Sequence, residues 1–386
     1  MKKSLSRAYI VLFFVLLILP TVVFALFGDN FDQTNYEQRP LSEKPDLSAE
    51  NLTEFPALYE SYYNDHLPFR TQLIEANSLL NFHIFRHSAV SDSLIGRDGW
   101  LFYNPAGKDG DTIADYRGTN LFSDDDLQWF VNHLTTIRDE LAAEGKEFVV
   151  LVIPNKESMY SSYLPEGNQP VSPYTRGDQV VNHLQQNTDL AVIYPKAELL
   201  EAMEQYPEYD FYYRTDSHWN NLGAYIGFKK FMEHWDVQLP GLEQLEITAK
   251  DGYSGDLVGM MGLTKYLKYD TEYILSPYSA ENAPAADYPF IDKNYDEEAY
   301  NIKDGRDYVH FTAENGVDKE IFVARDSYGE ALIPMISSHF AQTHIVHQRS
   351  YSPRLVQEAD ADIVVYEVVE RYVPNLVYLL DIRKRY

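Results

Sequence analysis

Apolar positions along the chain fall into three kinds of run. Residues 8–27 form one uncharged stretch, about as long as a helix needs to cross the hydrocarbon core of a bilayer. Shorter, largely apolar runs lie at 148–153, 190–194, 321–324, 343–347 and 362–366, each the length of a buried strand. Between them, apolar residues recur at helical spacing. Leu127, Phe130, Val131, Leu134, Ile137 and Leu141 form one stripe; Leu222, Tyr225, Phe228, Met232 and Trp235 form another. Short helices are also expected at 178–186 and from Glu330 to about Phe340. Strands apolar on both faces that alternate with helices predict an α/β domain whose mostly parallel sheet is covered on both sides.

Punctuation agrees with that reading. Ser123 before Asp124, Asp125 and Asp126 suits a helix N-cap with acids at the positive end of the dipole, and Gly145 stops the helix. Gly96 and Gly99 mark a turn that enters the aromatic segment Trp100-Leu101-Phe102-Tyr103. Upstream, Tyr59, Tyr62, Tyr63, Phe69 and Leu73 are spaced as a helical stripe, for which core packing is the expectation. Residues 239–318 lack any period and are rich in Asp, Glu, Tyr, Gly and Pro. They read as an insertion, with small antiparallel strands, that walls one side of a cleft. The expected organisation is a cytoplasmic tail and anchor (1–28), a membrane-proximal helical or linker region (29–90), and a catalytic domain (91–386) carrying the insertion.

Charge and composition narrow the function. The 386 residues carry a formal net charge of −27 with no long basic run after residue 10, which argues against a nucleic-acid binder. Cysteine is absent, which excludes disulfides, thiolate catalysis and cysteine-type zinc sites. The 31 Tyr and 20 Phe suit aromatic surfaces, although most fit the margin of a core. Lys2, Lys3 and Arg7 precede the long apolar run, and Asp29, Asp32 and Glu37 follow it. That asymmetry places the N-terminus in the cytoplasm and the rest outside. Val23-Phe24-Ala25 resembles a signal-peptidase site, but the run is longer than a usual signal core, so an uncleaved single-pass anchor is preferred.

Parallel sheets bind ligands beyond the carboxyl ends of their strands. Lys156, the Asp216-His218 pair, Ser327 and the stretch from Glu367 to Arg371 all fall at or after expected strand ends. In Arg325-Asp326-Ser327-Tyr328-Gly329 a strand turns at once into a helix, so the serine hydroxyl faces free helix N–H groups. Serine needs a base and an orienting acid, and Asp216 and His218 are a compact candidate pair. The bland alternatives are an N-cap role for Asp326 or Ser327, capping by Asn220 or Asn221, and a solvated surface position for Lys156. Trp219 is placed to shield the pair. His339, His344 and His347 read as structural or surface groups. A metal held by Asp216, His218 and either Asp326 or Glu367 is disfavoured because no second close histidine is present. No metal and no cofactor are expected.

Several blocks together resemble a known family. Thr-Asp-Ser-His-Trp-Asn-Asn-Leu-Gly-Ala-Tyr at 215–225 and Ala-Arg-Asp-Ser-Tyr at 324–328 are similar to the signature and nucleophile blocks of the SGNH-hydrolase-like DHHW family, which is related to the alginate O-acetyltransferases AlgJ and AlgX. Gly-Arg-Asp-Gly-Trp-Leu-Phe-Tyr at 96–103, Ile-Pro-Asn-Lys-Glu-Ser-Met-Tyr at 153–160 and Ser-Gly-Asp-Leu at 254–257 resemble further blocks, in order, from about residue 90 onward. The resemblance implies a three-layer α/β/α domain with Asp216, His218 and Ser327 as the triad. It also implies O-acetylation of an extracellular polysaccharide, with acyl groups supplied by a membrane-bound O-acyltransferase. Arg325 stands where the family has glycine, which leaves the oxyanion donors to the backbone N–H of Ser327 and of Tyr328 or Gly329. Lys156 and Arg371 are candidate substrate contacts. The chain ends soon after its last strand, so polysaccharide recognition is expected from the main domain or a partner. Two rivals share the fold: a carbohydrate O-acetyl esterase with the same triad, and a non-catalytic polysaccharide-assembly scaffold.

Overall fold

The computed structural model describes residues 2–27, 40–105, 110–291, 300–314 and 316–376. Asp29, Asp32 and Glu37, on which the charge asymmetry across the apolar run depends, lie outside the described residues. All five short apolar runs are strands of one sheet. Its seven members are β1 (Glu147–Ile153), β2 (Ala191–Ile193), β3 (Ala286–Asp287), β4 (Tyr308–Thr312), β5 (Val317–Arg325), β6 (Phe340–His347) and β7 (Ile363–Val369). They lie in the order β2-β1-β7-β5-β6-β4-β3. The first five in that order run parallel, and β4 and β3 close one side antiparallel.

Strand side chains alternate between two cores, which is why the runs are apolar throughout. Val149, Leu151 and Ile153 of β1 join Ile321 and Val323 of β5 on one face, under Leu199, Leu222, Phe228 and Met335. Phe148, Val150 and Val152 join Phe322 and Ala324 on the other, under Leu134, Leu184 and Leu355. Helices Lys196–Gln205, Asn221–Glu233 and Ile333–His339 thus cover one face. Helices Asp124–Ala143, Arg176–Asn187 and Pro353–Ala359 cover the other. This is a three-layer α/β/α arrangement. Helix Asp124–Ala143 opens with a capping box between Ser123 and Asp126, and Gly145 (φ +80) follows its end.

Three features depart from the sequence reading. The segment 239–318 holds the expected antiparallel pair, Glu246–Tyr253 with Asp270–Ser276, but it also holds β3 and β4, members of the main sheet. Aperiodic surroundings hid a strand whose partner, β6, is about thirty residues on. Helices Thr112–Arg117, Lys196–Gln205 and Pro353–Ala359 were not anticipated. Third, the aromatic stripe at 59–73 is split into helices Phe55–Asp65 and Arg70–Leu80, with Phe69 in the left-handed region (φ +67) after Pro68. Only Tyr62 of the stripe is buried, whereas Tyr59, Phe69 and Leu73 are exposed.

Those two helices belong to a separate compact unit, made of the described residues up to 90 together with 258–267. Its first helix, Lys2–Phe27, contains a 19-residue span of mean hydropathy 3.1 from Tyr9 to Phe27, long and apolar enough to cross a membrane. Near its end, Thr21 Oγ1 lies 2.8 Å from Tyr63 Oη, and the Phe24 ring meets Tyr63 at 5.1 Å. Lys265 Nζ reaches Glu75 at 2.9 Å within the same unit.

Packing on both faces makes the centre of the sheet intolerant of voids. Leu151→Ala, on a strand with neighbours on both sides, is expected to lose about 2–5 kcal/mol in urea denaturation of the protein.

Candidate active site

β5 carries the chain to the carboxyl edge of the sheet, where Asp326 turns inward. Its Oδ1 accepts from the Tyr328 N–H at 2.8 Å and its Oδ2 from the Val369 N–H at 2.7 Å, while its own N–H donates to Glu367 Oε2 at 2.9 Å. Asp326 therefore fastens the turn to β7 and takes the capping work on itself. Burial, with the Asp326 charge beside it, pushes the Glu367 carboxyl well above the usual carboxylate range. The Ser327 side chain makes no cap. It points the other way, and its Oγ lies 2.8 Å from His218 Nε2. A 3-10 turn, Tyr328–Leu332, follows before helix Ile333–His339 begins.

Asp216 and His218 lie not at a strand end but in a loop closed by the pairing of Tyr212 with Trp219. His218 Nδ1 is 2.6 Å from Asp216 Oδ1, which also accepts the His218 backbone N–H at 3.0 Å. Asp216 Oδ2 accepts from Tyr253 Oη at 3.0 Å and from the Asp256 N–H at 2.9 Å. Burial alone would raise this carboxyl, but the hydrogen bond and charge of His218 outweigh it and hold Asp216 well below the usual range. The imidazole thus has its Nδ1 side fixed by an anion and its Nε2 side on the serine.

The loop has further supports that sequence reading did not assign. The Asp256 carboxylate takes both donors of Ser217, N–H at 2.7 Å and Oγ–H at 2.6 Å, and its Oδ2 stands 3.7 Å from His218 Nδ1. Burial and the Asp216 charge raise the Asp256 carboxyl. Asp270 accepts the N–H groups of Arg214 (2.5 Å) and Thr215 (2.9 Å). At Gly255 an added Cβ would fall 2.5 Å from the Asp216 backbone nitrogen, so only glycine permits this approach. The block Ser254-Gly255-Asp256 was visible in sequence, but nothing there pointed it at Asp216. Asp216, His218 and Asp256 bring ligand atoms within 4.8 Å of one another. All four carboxylate oxygens already accept from protein donors, which fits a hydrogen-bonded relay better than a metal centre. Asp326 and Glu367, the other acids considered as ligands, bond to each other and to the turn beside β7.

The two loops are tied across the site. Trp219 Nε1–H donates to the Tyr328 carbonyl at 2.9 Å, and the Tyr328 hydroxyl donates to the Ser217 carbonyl. Asn220 Oδ1 caps helix Asn221–Glu233 through the N–H groups of Leu222 and Gly223, while Asn221 Nδ2 donates to the Tyr273 carbonyl.

Three expected contacts need correction. Lys156 is 1% exposed, neither a surface lysine nor a cleft residue. Its Nζ donates to the carbonyls of Leu101 (2.5 Å), Arg214 (3.1 Å) and Asp216 (2.8 Å), so it props the acid loop from behind. Burial lowers its pKa, opposed by the charges of Glu157, Asp270 and Asp216. Arg371 is buried too, with its guanidinium over the rings of Tyr103, Tyr328 and Tyr372 at 5.1–5.2 Å, beneath the site rather than in it. The Tyr328 N–H is spent on Asp326, which leaves the N–H groups of Ser327 and Gly329 as oxyanion candidates. Gly329 has its own steric reason, since an added Cβ would lie 2.7 Å from Arg325 Cβ and from Glu367 Oε2.

His218 and Ser327 open into a cleft of about 780 Å³. Tyr213, Tyr253 and Tyr278 line it, and the antiparallel hairpin at 246–276 supplies one wall through Lys250, Tyr253, Glu272 and Ile274.

Known proteins share this architecture. Residues 94–292 match the family described as SGNH hydrolase-like domain, acetyltransferase AlgX; the match includes Asp216 and His218 and ends before Ser327. The "Probable alginate O-acetylase AlgJ" of Pseudomonas putida is 25% identical over 210 residues, 53% of this chain and 50% of that protein. The chain thus spans about half the length of the curated relatives it matches. A DHHW family protein from Eubacterium siraeum superposes with a TM-score of 0.54 at 20% identity, covering 75% of this chain and 95% of that one. Bacillus cereus PatB1, solved with a sulfonyl adduct, gives 0.50 at 17% identity over 71% and 95%. With more than half of its residues inside the matched span, the chain belongs to the AlgX family of SGNH hydrolase-like acetyltransferase domains.

Proposed function

We propose that this protein is a membrane-anchored, extracytoplasmic O-acetyltransferase that modifies a cell-surface or exopolysaccharide through an acyl-enzyme on Ser327. The observation that carries the reading is the unbroken line Asp216–His218–Ser327, at 2.6 and 2.8 Å, opening on a cleft. Both distances lie within the reach that proton transfer requires.

In the first half-reaction Ser327 Oγ attacks the acyl carbonyl carbon and His218 Nε2 takes the hydroxyl proton. Asp216 keeps its charge and stabilises the imidazolium through Nδ1–H. The oxyanion of the tetrahedral intermediate meets the N–H groups of Ser327 and Gly329. As the intermediate collapses, the bond to the donor breaks, His218 returns the proton to the leaving group, and an acetyl ester remains on Ser327. In the second half a sugar hydroxyl gives its proton to His218, attacks the ester carbonyl, and releases Ser327 Oγ, which regains the proton. Water in place of the sugar would make the protein an esterase, so the outcome depends on how well the cleft holds its acceptor.

The acyl donor is proposed to be a membrane-bound O-acyltransferase. The span Tyr9–Phe27 fits a single-pass anchor, which supports delivery of the catalytic domain to the outer face, where a membrane-bound donor hands over its acyl group. Family membership and the alginate acetylase name borne by the Pseudomonas relatives support acetyl and polysaccharide as the two substrates.

Exposure to a small activated acetyl ester, followed by intact-protein mass, is expected to add one acetyl group to the wild type and none to Ser327→Ala. Equal labelling of both proteins would remove Ser327 from the mechanism. Gly255→Ala is expected to shift Asp216 off His218 and slow acylation by about tenfold or more, with the folded state retained by circular dichroism. An unchanged acylation rate would show that the approach of Gly255 to Asp216 is not needed.

A further inference from the structure

The charges that line the cleft indicate which class of acceptor it takes. Three carboxylates outside the triad line it, from Glu272, Glu281 and Glu330, against two cations, Lys250 and Arg325. Neither cation stands alone. Lys250 and Glu272 are direct cross-strand partners with Nζ and Oε2 3.9 Å apart, and the Arg325 guanidinium is bonded to the Glu330 carboxylate. Among the described residues lining the cleft, then, Lys250 and Arg325 are each offset by a neighbouring acid, Asp216 is engaged with His218, and Glu281 leaves a negative excess. The chain as a whole carries −27, so the distant field adds to the local one.

The remaining surface is aromatic and aliphatic. The rings of Tyr213 and Tyr253 lie 4.6 Å apart at 31°, next to His218. Tyr278, Ile274, Ile333 and Pro334 supply the rest. Such walls suit the C–H faces of pyranose rings, and the phenolic groups can hydrogen-bond to sugar hydroxyls.

We infer that the acceptor is an uncharged glycan, not a polyuronate. The inference rests on the reading of Ser327 as the acylated nucleophile. Alginate, for which the Pseudomonas relatives are named, carries a carboxylate on every ring. A site for it needs cations free to bind those groups, commonly arginines that grip them in pairs. Here each carboxylate would enter a cleft of its own sign, and like charges brought together without compensation disfavour a partner strongly.

The test uses the full-length protein in detergent. It is acetylated with 4-nitrophenyl acetate, freed of excess ester, and offered either a neutral β-linked oligosaccharide (chitotetraose or cellotetraose) or an oligomannuronate of the same length. Loss of the acetyl adduct and gain of acetyl mass on the sugar are followed at low and high salt. A neutral acceptor is expected to clear the adduct about tenfold faster than the uronate at low salt, with the gap narrowing as salt screens the cleft. Glu281→Lys is expected to narrow it further by favouring the uronate. Clearance by the uronate as fast as by either neutral sugar overturns the inference, as does clearance by water alone with no acetyl on any sugar. Failure to form a Ser327 adduct at all is a separate result, which would sink the catalytic reading instead.

Discussion

Two hydrogen bonds running in opposite directions hold this site together: Trp219 Nε1–H to the Tyr328 carbonyl, and the Tyr328 hydroxyl to the Ser217 carbonyl. One partner in each pair sits beside His218 and the other beside Ser327, residues 109 positions apart in sequence. A buried hydrogen bond is worth about 1 kcal/mol net, so these bonds do little for overall stability. Their importance is register. A serine and a histidine on separate loops stay within transfer distance only if the loops cannot slide, and buried donors that lose their partners cost about 1–3 kcal/mol each. Behind them stand Lys156, spanning three backbone carbonyls, and Asp326, pinned to β7.

The same frame sorts the acids. Asp216 and Asp256 are neighbours pushed in opposite directions, the first down by His218 and its donors, the second up by burial and by Asp216 itself. Such divergence lets one carboxyl remain an anion against the imidazole while its neighbour serves as scaffold. On the other loop, burial and the Asp326 charge raise Glu367 and favour its neutral form.

Much of this was legible from the residues. The runs at 148–153 and 321–324 read as strands because both sheet faces are buried, and that also placed Ser327 at the carboxyl edge. The short spacing from Asp216 to His218 exposed the pair. What stayed hidden depends on partners remote in sequence. β4 sits in an aperiodic stretch and is defined by its ladders to β6 and to the two-residue β3. Lys156 reads as a surface lysine until three carbonyls from two other segments surround it. The residues left open both an N-cap role for Asp326 and a free Tyr328 N–H; only the packing against β7 shows that Asp326 turns inward and takes that N–H. The stripe at 59–73 misled for the opposite reason: its helical spacing continued across Pro68 and Phe69, where the chain bends.

The central claim is that Asp216, His218 and Ser327 act as one unit, and a kinetic cycle tests it most directly. Release of the leaving group from an activated ester, above the background in buffer, would be measured for the wild type, Ser327→Ala, His218→Ala and the double variant. Members of a single relay lose their contribution together, so the account predicts that both single variants fall to the same residual rate and that the double variant is no slower. Losses that multiply in the double variant would mean that the two side chains act independently, and the 2.8 Å contact between them would then be a structural bond rather than a path for a proton.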